Sequence, residues 1–321
     1  MAQTTKQSVL AELLQDATAW HSGDEIAQKL NLSRESVWKA INALRKSGHN
    51  IVARKSQGYR YEGTSELNAD VINFYAPHQV ATIKVAPSVT STQDVAKTWL
   101  AAQTQLKAAV FLADEQTNGY GRRGRDFYSP KATGLYLSLV LPNVSGDLTK
   151  VGLLTTGVAT AVVRTLHQFF PDKDFGLKWV NDVYLGNKKV AGILCEAVLE
   201  LESASSGAFV IGVGLNLATK HFPQALSKVA GAIATGEVDR NRFAAALIQQ
   251  IMTIAKDFET GSFLPEYRSE SITIGHKVTL ALGERKVVGK VTGIADDGGL
   301  ILQTAQGQQT FNSGEVTKVE A

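Results

Sequence analysis

Residues 116–125 read Gln-Thr-Asn-Gly-Tyr-Gly-Arg-Arg-Gly-Arg, so that Gly119, Gly121 and Gly124 are interleaved with Arg122, Arg123 and Arg125. Glycines let a backbone close tightly around a ligand, and guanidinium forks match carboxylate and phosphate oxygens. The stretch is therefore expected to hold an anion. The spacing of its glycines is formally that of a dinucleotide-binding turn, and the apolar run 108–113 would be the strand before it. Such a turn must open a helix and be followed by an acidic residue about 20 positions on. Here Phe127, Tyr128, Ser129 and Pro130 break a helix, and a second strand pattern follows at 135–141. That context argues against a dinucleotide site and leaves a solvated basic turn as the plain alternative.

Other residues with chemical potential lie further along the chain. Residues 178–182, Lys-Trp-Val-Asn-Asp, follow a long helical pattern and precede a short strand at 183–185. Gly186 and Asn187 are a hairpin turn signal, and the return strand begins with Lys188 and Lys189. A third apolar strand, 209–214, runs into Leu215 and Asn216, and upstream Ser91 stands where it would N-cap a helix reaching about residue 102. Singly, each has a structural explanation: Ser91 as a cap, Trp179 as packing, Lys188 and Lys189 as a solvated pair. In this order they resemble the biotin–protein ligase family. Residues 119–124 match its Gly-Arg-Gly-Arg-Arg-Gly signature, 178–182 its Lys-Trp-Pro-Asn-Asp, and 189–194 its Lys-x-Ala-Gly-Ile-Leu. The resemblance extends to both ends of the chain, and so to the bacterial members that are both ligase and biotin operon repressor.

Making an amide from a free carboxylate is uphill, so the acid must first be activated. Attack on the α-phosphorus of ATP then brings two anions together, and cations and N–H donors must offset the repulsion. The resemblance implies that biotin reacts with ATP and Mg2+ to give biotinoyl-5′-AMP, which passes biotin to a lysine of the biotin carboxyl carrier protein of acetyl-CoA carboxylase. It implies that Ser91, Thr92, Gln93 and Gln116 hold biotin together with Gly119, Tyr120 and Gly121, while Arg122 and Lys189 contact carboxylate and phosphate. Arg123, Gly124, Phe127, Asn181, Asp182 and Asn216 match positions near the nucleotide. Arg122, Lys189 and Asp182 form the expected catalytic set, with Asp182 orienting or deprotonating the acceptor lysine. Three positions depart from the pattern: Tyr120 replaces an arginine, Val180 a proline and Phe127 a tryptophan. A lipoate ligase would share the central fold, and a purely regulatory protein would use it only to sense a small acid.

The elements that must position these residues follow from the rest of the sequence. With 321 residues, 44% hydrophobic and 20% charged, the composition is that of a globular protein long enough for more than one domain. Cys195 is the only cysteine, which excludes an intrachain disulfide and a thiolate zinc cluster. No histidine spacing suggests a protein-held metal. No apolar run reaches about 18 residues and no basic-then-apolar leader opens the chain, so a cytoplasmic protein without membrane partners is expected. The expected fold is α+β multidomain, with a winged helix-turn-helix at 1–64 and a central mixed-sheet α/β ligase domain at 65–270. Turn signals at Gly283, 296–299, Gly307 and Gly314 set short strands apart at 271–321. There the resemblance implies an SH3-like β-barrel.

Charge separates the first domain from the rest. Residues 1–64 carry nine Lys/Arg against six Asp/Glu, whereas the remainder carries 24 of each, so the whole excess of +3 sits at the N-terminus. Helix one is expected at 8–17, Ser22 with Glu25 makes a capping box for helix two, and Ser33 caps a third helix that stops at Gly48. On the third helix Val37, Ile41 and Leu44 form one stripe. The opposite face and first turn present Ser33, Arg34, Glu35, Ser36, Lys39, Asn42 and Lys46, a mixture suited to the major groove. Arg54 and Lys55, near the tip of a hairpin at 51–61, would contact phosphates. Operator DNA is the expected partner, and the resemblance implies that the adenylate-bound form binds it as a homodimer. The candidate dimer edge is the strand 189–198, whose alternation would place Val190, Gly192, Leu194 and Glu196 on one face.

Overall fold

Side-chain caps set the first helices. Thr4 and Gln7 make a reciprocal capping box for α1 (Thr5–Gln15). Ser22 and Glu25 do the same for α2 (Gly23–Leu30). Ser33 Oγ accepts from Ser36 N at 3.1 Å to open α3 (Arg34–Lys46). Between α2 and α3, Asn31 turns the chain in the left-handed region with φ 53°. The strands β1 (His49–Arg54) and β2 (Gly58–Thr64) form an antiparallel hairpin, and α4 (Ala69–Tyr75) follows. The computed structural model describes residues 4–77, 80, 82–143, 147–199 and 207–320.

Two units divide the chain: Met1–His78 with Asp239–Ala245, and Gln79–Val238 with Ala246–Ala321. In the first, Val9, Leu10, Leu13, Ile26, Val37, Ile41 and Leu44 are buried in one core, so the apolar stripe expected on α3 does face inward. Burying each such side chain contributes roughly 1.5–3 kcal/mol. In the wing, Arg54 and Arg60 stack on Trp20, their guanidinium carbons 5.0 and 4.8 Å from its ring.

The second unit is built on a seven-stranded mixed sheet in the order β3-β4-β5-β9-β8-β7-β6. Its strands are β3 (Thr82–Ala86), β4 (Ala109–Ala113), β5 (Leu135–Asn143), β6 (Phe175–Lys178), β7 (Asp182–Leu185), β8 (Lys188–Leu199) and β9 (Gly207–Leu215). Only β3 and β4 pair in parallel. Helix α5 (Thr92–Ala101) packs on β4 and β5, and α6 (Val151–Phe169) on β8 and β6. Threonines in α6 are buried by returning their hydroxyls to the helix: Thr155, Thr160 and Thr165 bond to the carbonyls of Val151, Thr156 and Ala161 at 2.7, 3.0 and 2.8 Å. Helices α7 (Arg240–Ala255) and α8 (Leu264–Ser269) follow.

Residues 178–182 do not simply follow a helix. Lys178 ends β6 and Asp182 begins β7, the two paired across a tight turn. Beyond α8, β10 (Lys277–Leu282), β11 (Arg285–Ile294), β12 (Leu300–Thr304), β13 (Gly307–Phe311) and β14 (Glu315–Glu320) form an antiparallel sheet ordered β13-β12-β11-β10-β14. The turns fall at the glycine signals, and β13 and β14 are its edges, with no pairing that closes it among the described residues. Among these residues no helix is long and apolar enough to cross a membrane.

Candidate active site

The glycine-rich loop is a hairpin laid back on itself. Phe127 N donates to Gly119 O at 2.8 Å and Gly121 N to Arg125 O at 2.7 Å. At the apex a single 3-10 turn spans Arg122–Gly124, with Arg123 in the left-handed region at φ 60°. Gly119 is packed so closely that a Cβ there would lie 2.7 Å from Gln116 Nε2 and 2.8 Å from Ser129 Oγ. The loop stands beside the N-terminus of α5, where Ser91 Oγ caps Gln93 N at 3.2 Å. Thr92 N and Oγ1 both donate to Gln116 Oε1, at 2.8 and 3.0 Å.

Under this loop lies a cavity of about 400 Å3. It brings together Ser91, Thr92, Gln93 and Gln116 with Tyr120, Gly121, Arg122, Arg123 and Phe127 from the loop, Asn181 and Asp182 from the β6–β7 turn, Lys189 from β8, and Asn216 after β9. Gly119 and Gly124 stand outside its lining and shape the loop instead. These residues are dispersed in sequence and converge because β9, β8 and β7 are adjacent in the sheet.

Arg122, Arg123, Arg125, Lys178 and Lys189 all line the cavity. Arg122 Nη1 donates to Asn181 Oδ1 at 3.2 Å, and burial, reinforced by the neighbouring Arg123, holds its guanidinium below the ordinary value. Lys189 Nζ lies 2.6 Å from Asp182 Oδ1, a close ion pair. Lys178 is pulled below its ordinary value by burial and stands 5.5 Å from the Tyr184 ring. Burial likewise pushes the Tyr184 phenol up to about 12, with Asp182 adding to the shift. Asn216 Oδ1 is buried and finds no hydrogen-bond partner among the described residues. A polar atom desolvated without a partner is costly, so this is where a ligand donor gains most.

Phe127 packs against the sheet. A Cβ at Gly214 would come within 2.5 Å of its ring, so only glycine lets the ring approach β9 this closely. That leaves an apolar shelf beside the cations, the combination a planar heterocycle on a phosphate requires.

The expectations from sequence missed several residues. Ser138 of β5 and Glu196 of β8 complete the polar wall: Gln93 Nε2 donates to Glu196 Oε2 at 2.8 Å and Gln93 Oε1 lies 2.9 Å from Ser138 Oγ. The Gln93 amide is thus fully engaged inside the protein. Glu315, on β14, lines the same cavity and pairs with Arg125, and Trp179 Nε1 donates to Gly298 O at 2.9 Å. The strand 189–198 was expected to be a dimer edge with Val190, Gly192, Leu194 and Glu196 on one face, and both points need correction. Ala191 and Gly192 are paired with both β7 and β9, and Lys189 lies between Tyr184 and Ala230, because the turn at Gly186 folds β7 onto this end; β7 is too short to cover the rest. From Leu194 to Leu199 the side away from β9 has no strand partner among the described residues. A bulge then skips Val190, which does not line the cavity, and Lys189 takes its face.

In the other unit, Arg34, Glu35, Lys39 and Lys46 are exposed on α3, Ser36 and Asn42 are half-buried, and Trp38 is 55% exposed beside them. Glu35 and Lys39 pair at 2.7 Å and Arg34 lies 3.4 Å from Asp24, contacts too exposed to add much stability. Ser33 is engaged in its cap, Lys55 is exposed at the tip of the wing, and Arg54 rests on Trp20.

Three family models match the chain: the HTH domain at residues 5–60, the biotin/lipoate A/B protein ligase family at 85–216 and the biotin protein ligase C terminal domain at 273–319. The bifunctional ligase/repressor BirA of Bacillus subtilis (strain 168) is 30% identical over 330 residues, covering 98% of this chain and 99% of its own length. The protein of the same name from Escherichia coli (strain K12) is 30% identical over 93% of this chain and 92% of its own. Among solved structures, biotin protein ligase from Aquifex aeolicus in complex with biotin and ATP is 27% identical and superposes with a TM-score of 0.63, covering 75% of this chain and all of that one. With matches of this length across both ends of the sequence, the chain belongs to the family of bifunctional biotin–protein ligase/repressors.

Proposed function

We propose that this chain joins biotin to ATP to form biotinoyl-5′-AMP, transfers biotin to a lysine of the biotin carboxyl carrier protein, and in its adenylate-bound form represses biotin synthesis as a homodimer on operator DNA. One cavity carries the reading: Arg122, the Lys189–Asp182 pair and the unpartnered Asn216 Oδ1 converge beneath a glycine-rich loop and beside an aromatic shelf.

Each residue has a task in this scheme. Ser91, Thr92 and Gln116 bind the ureido end of biotin, while Gln93, engaged with Glu196 and Ser138, fixes the wall behind it. Arg122 holds the biotin carboxylate against the α-phosphate, and Lys189 neutralises the charge that develops there. Phe127 receives the adenine face, and Asn181 and Asn216 contact the nucleotide. The reactive acyl phosphate then lies under the loop, shielded from water. Asp182, already beside Lys189, receives the incoming lysine ammonium and takes its proton, and the free amine then attacks the acyl carbon, breaking its bond to the phosphate and expelling AMP. Among the described residues no group of three or more His, Cys, Asp or Glu could hold a metal. Mg2+ would come with ATP, with the unpartnered Asn216 oxygen as a protein ligand, and would screen the phosphate charges.

The charged face of α3, with Lys39, Asn42 and Lys46, reads the major groove, and Arg54 and Lys55 of the wing contact phosphates. In this reading residues 1–64 are the repressor part, 65–270 the ligase and 271–321 an SH3-like module. The strand edge from Leu194 to Leu199 is the surface where dimerisation and carrier binding compete, since an unpaired edge accepts another strand. Pyrophosphate exchange with biotin, lipoate and a panel of other carboxylic acids tests the reading. Exchange is expected with biotin, followed by label transfer to a carrier domain. Exchange with lipoate alone, or with no acid, would overturn it.

A further inference from the structure

A ring of hydrogen bonds starts and ends on the glycine-rich loop and ties residues of the proposed biotin site to Asp94, Lys97 and Glu196, which do not line the cavity. Tyr120 Oη donates to Asp94 Oδ1 at 2.6 Å and accepts from Lys97 Nζ at 3.3 Å. Lys97 Nζ also lies 2.7 Å from Glu196 Oε2, the oxygen that receives Gln93 Nε2. From Gln93 the chain of contacts continues through Ser138 Oγ, 2.9 Å from both Gln93 Oε1 and Thr92 Oγ1, and from Thr92 to Gln116 Oε1. Gln116 opens the loop and Tyr120 lies within it, so α5, β5 and β8 together clamp both positions. Gln93 and Ser138 are buried, which leaves the ring little freedom to slip.

Tyrosine suits this place for a chemical reason. Its hydroxyl donates and accepts at once, whereas a guanidinium only donates and would meet Lys97 as a like charge. The ring of Tyr120 also lies 5.7 Å from Lys97 Nζ, a contact that phenylalanine would keep. The hydroxyl can therefore be separated from the aromatic body by experiment.

We infer that Tyr120 is a positioning residue whose hydroxyl, held between Asp94 and Lys97, keeps the glycine-rich loop ordered before any substrate binds and so slows escape of the adenylate. This rests on the ligase reading above. A loop already ordered gives up less entropy when a ligand arrives, and the retained order resists opening afterwards.

Trypsin reports the first half of the inference directly, because Arg123 and Arg125 are exposed in the loop. In the full-length protein without ligands, Tyr120→Phe and Asp94→Ala should each be cut within residues 122–125 about tenfold faster than the unaltered chain, as expected for losing one charge-assisted hydrogen bond. The double variant should be no faster than Tyr120→Phe alone, since that change already removes the contact to Asp94. Biotin with ATP should restore protection. Preloaded biotinoyl-AMP should also leave Tyr120→Phe faster, and in pyrophosphate exchange its KM for biotin should rise more than kcat falls. Cutting of both variants at the unaltered rate would overturn the tether, and faster cutting with unchanged adenylate release would overturn its link to retention. If the unaltered chain showed no biotin-dependent exchange, the ligase reading would fail, while the trypsin comparison, which needs no substrate, would still decide the tether.

Discussion

Lys189 Nζ stands 2.6 Å from Asp182 Oδ1 because of a bulge in which Tyr184 faces Lys189 while Val183 faces Ala191. The extra residue, Val190, is turned out of the alternation, and Lys189 joins Gly192 on the cavity side, its Nζ only 3.3 Å from where a Cβ on that glycine would lie. A lysine that a regular strand would send elsewhere thus meets a carboxylate at the floor of the site.

This pairing separates two steps. Lys189→Ala should lower biotin-dependent pyrophosphate exchange by roughly 10²–10³-fold, the usual cost of removing one preorganised group that meets developing charge. Asp182→Asn should reduce transfer to carrier protein more than it reduces exchange. Equal losses in both assays would remove Asp182 from the proton-accepting role.

Arg122→Gly should still form adenylate but release it, since the loop loses the cation that bridges to Asn181. The expected sign is biotin on lysines of bystander proteins, detected by avidin blotting. A variant as selective as the unaltered chain would show that Arg122 does not retain the intermediate.

For operator binding, Lys55→Ala should weaken affinity across sequences and reduce the salt slope by about one, as loss of a single phosphate contact does. Asn42→Ala should instead relax preference at one base pair, at a cost of about 1–3 kcal/mol. Titrations at several salt concentrations on operator and scrambled DNA measure both.

His49 makes the first unit sensitive to acid. Its ring is buried, with Nδ1 3.1 Å from Tyr61 Oη and Nε2 3.3 Å from Asn68 Nδ2, and burial followed by repulsion from Lys6 holds its pKa below the ordinary 6.5. A depressed histidine favours the folded state fully above its unfolded value, and that contribution is lost as pH falls below 6.5 toward the folded one. Urea midpoints of this unit should therefore fall between pH 7.5 and pH 5.5, and fall less in His49→Gln. Equal falls in the two proteins would assign the sensitivity elsewhere.

If the edge from Leu194 to Leu199 serves both partners, carrier protein lacking biotin should displace the biotin- and ATP-loaded protein from operator DNA, and carrier already biotinylated should not. Sedimentation should show dimer only with both biotin and ATP. Carrier and operator held together without mutual effect would end the shared-edge proposal.

The sequence by itself determined whatever depends on neighbours along the chain. Ser22 with Glu25, Ser33, and the stripe of Val37, Ile41 and Leu44 specify the caps of two helices and the buried face of one, because capping and 3.6-residue periodicity act within a few positions. The glycine and arginine pattern of 116–125 likewise marked a tight, cationic loop, and the turn at Gly186 its hairpin. Tertiary structure alone decided the rest. Strand β6 is four residues long and hidden behind the Lys178–Asp182 turn, too short to show a period of its own. The bulge at Val190 depends on pairing with β7, and Gln93 meets Glu196 across 103 positions of sequence. Contacts of that range are set by which strands lie side by side and in what register, and a one-residue shift sends every following side chain to the opposite face.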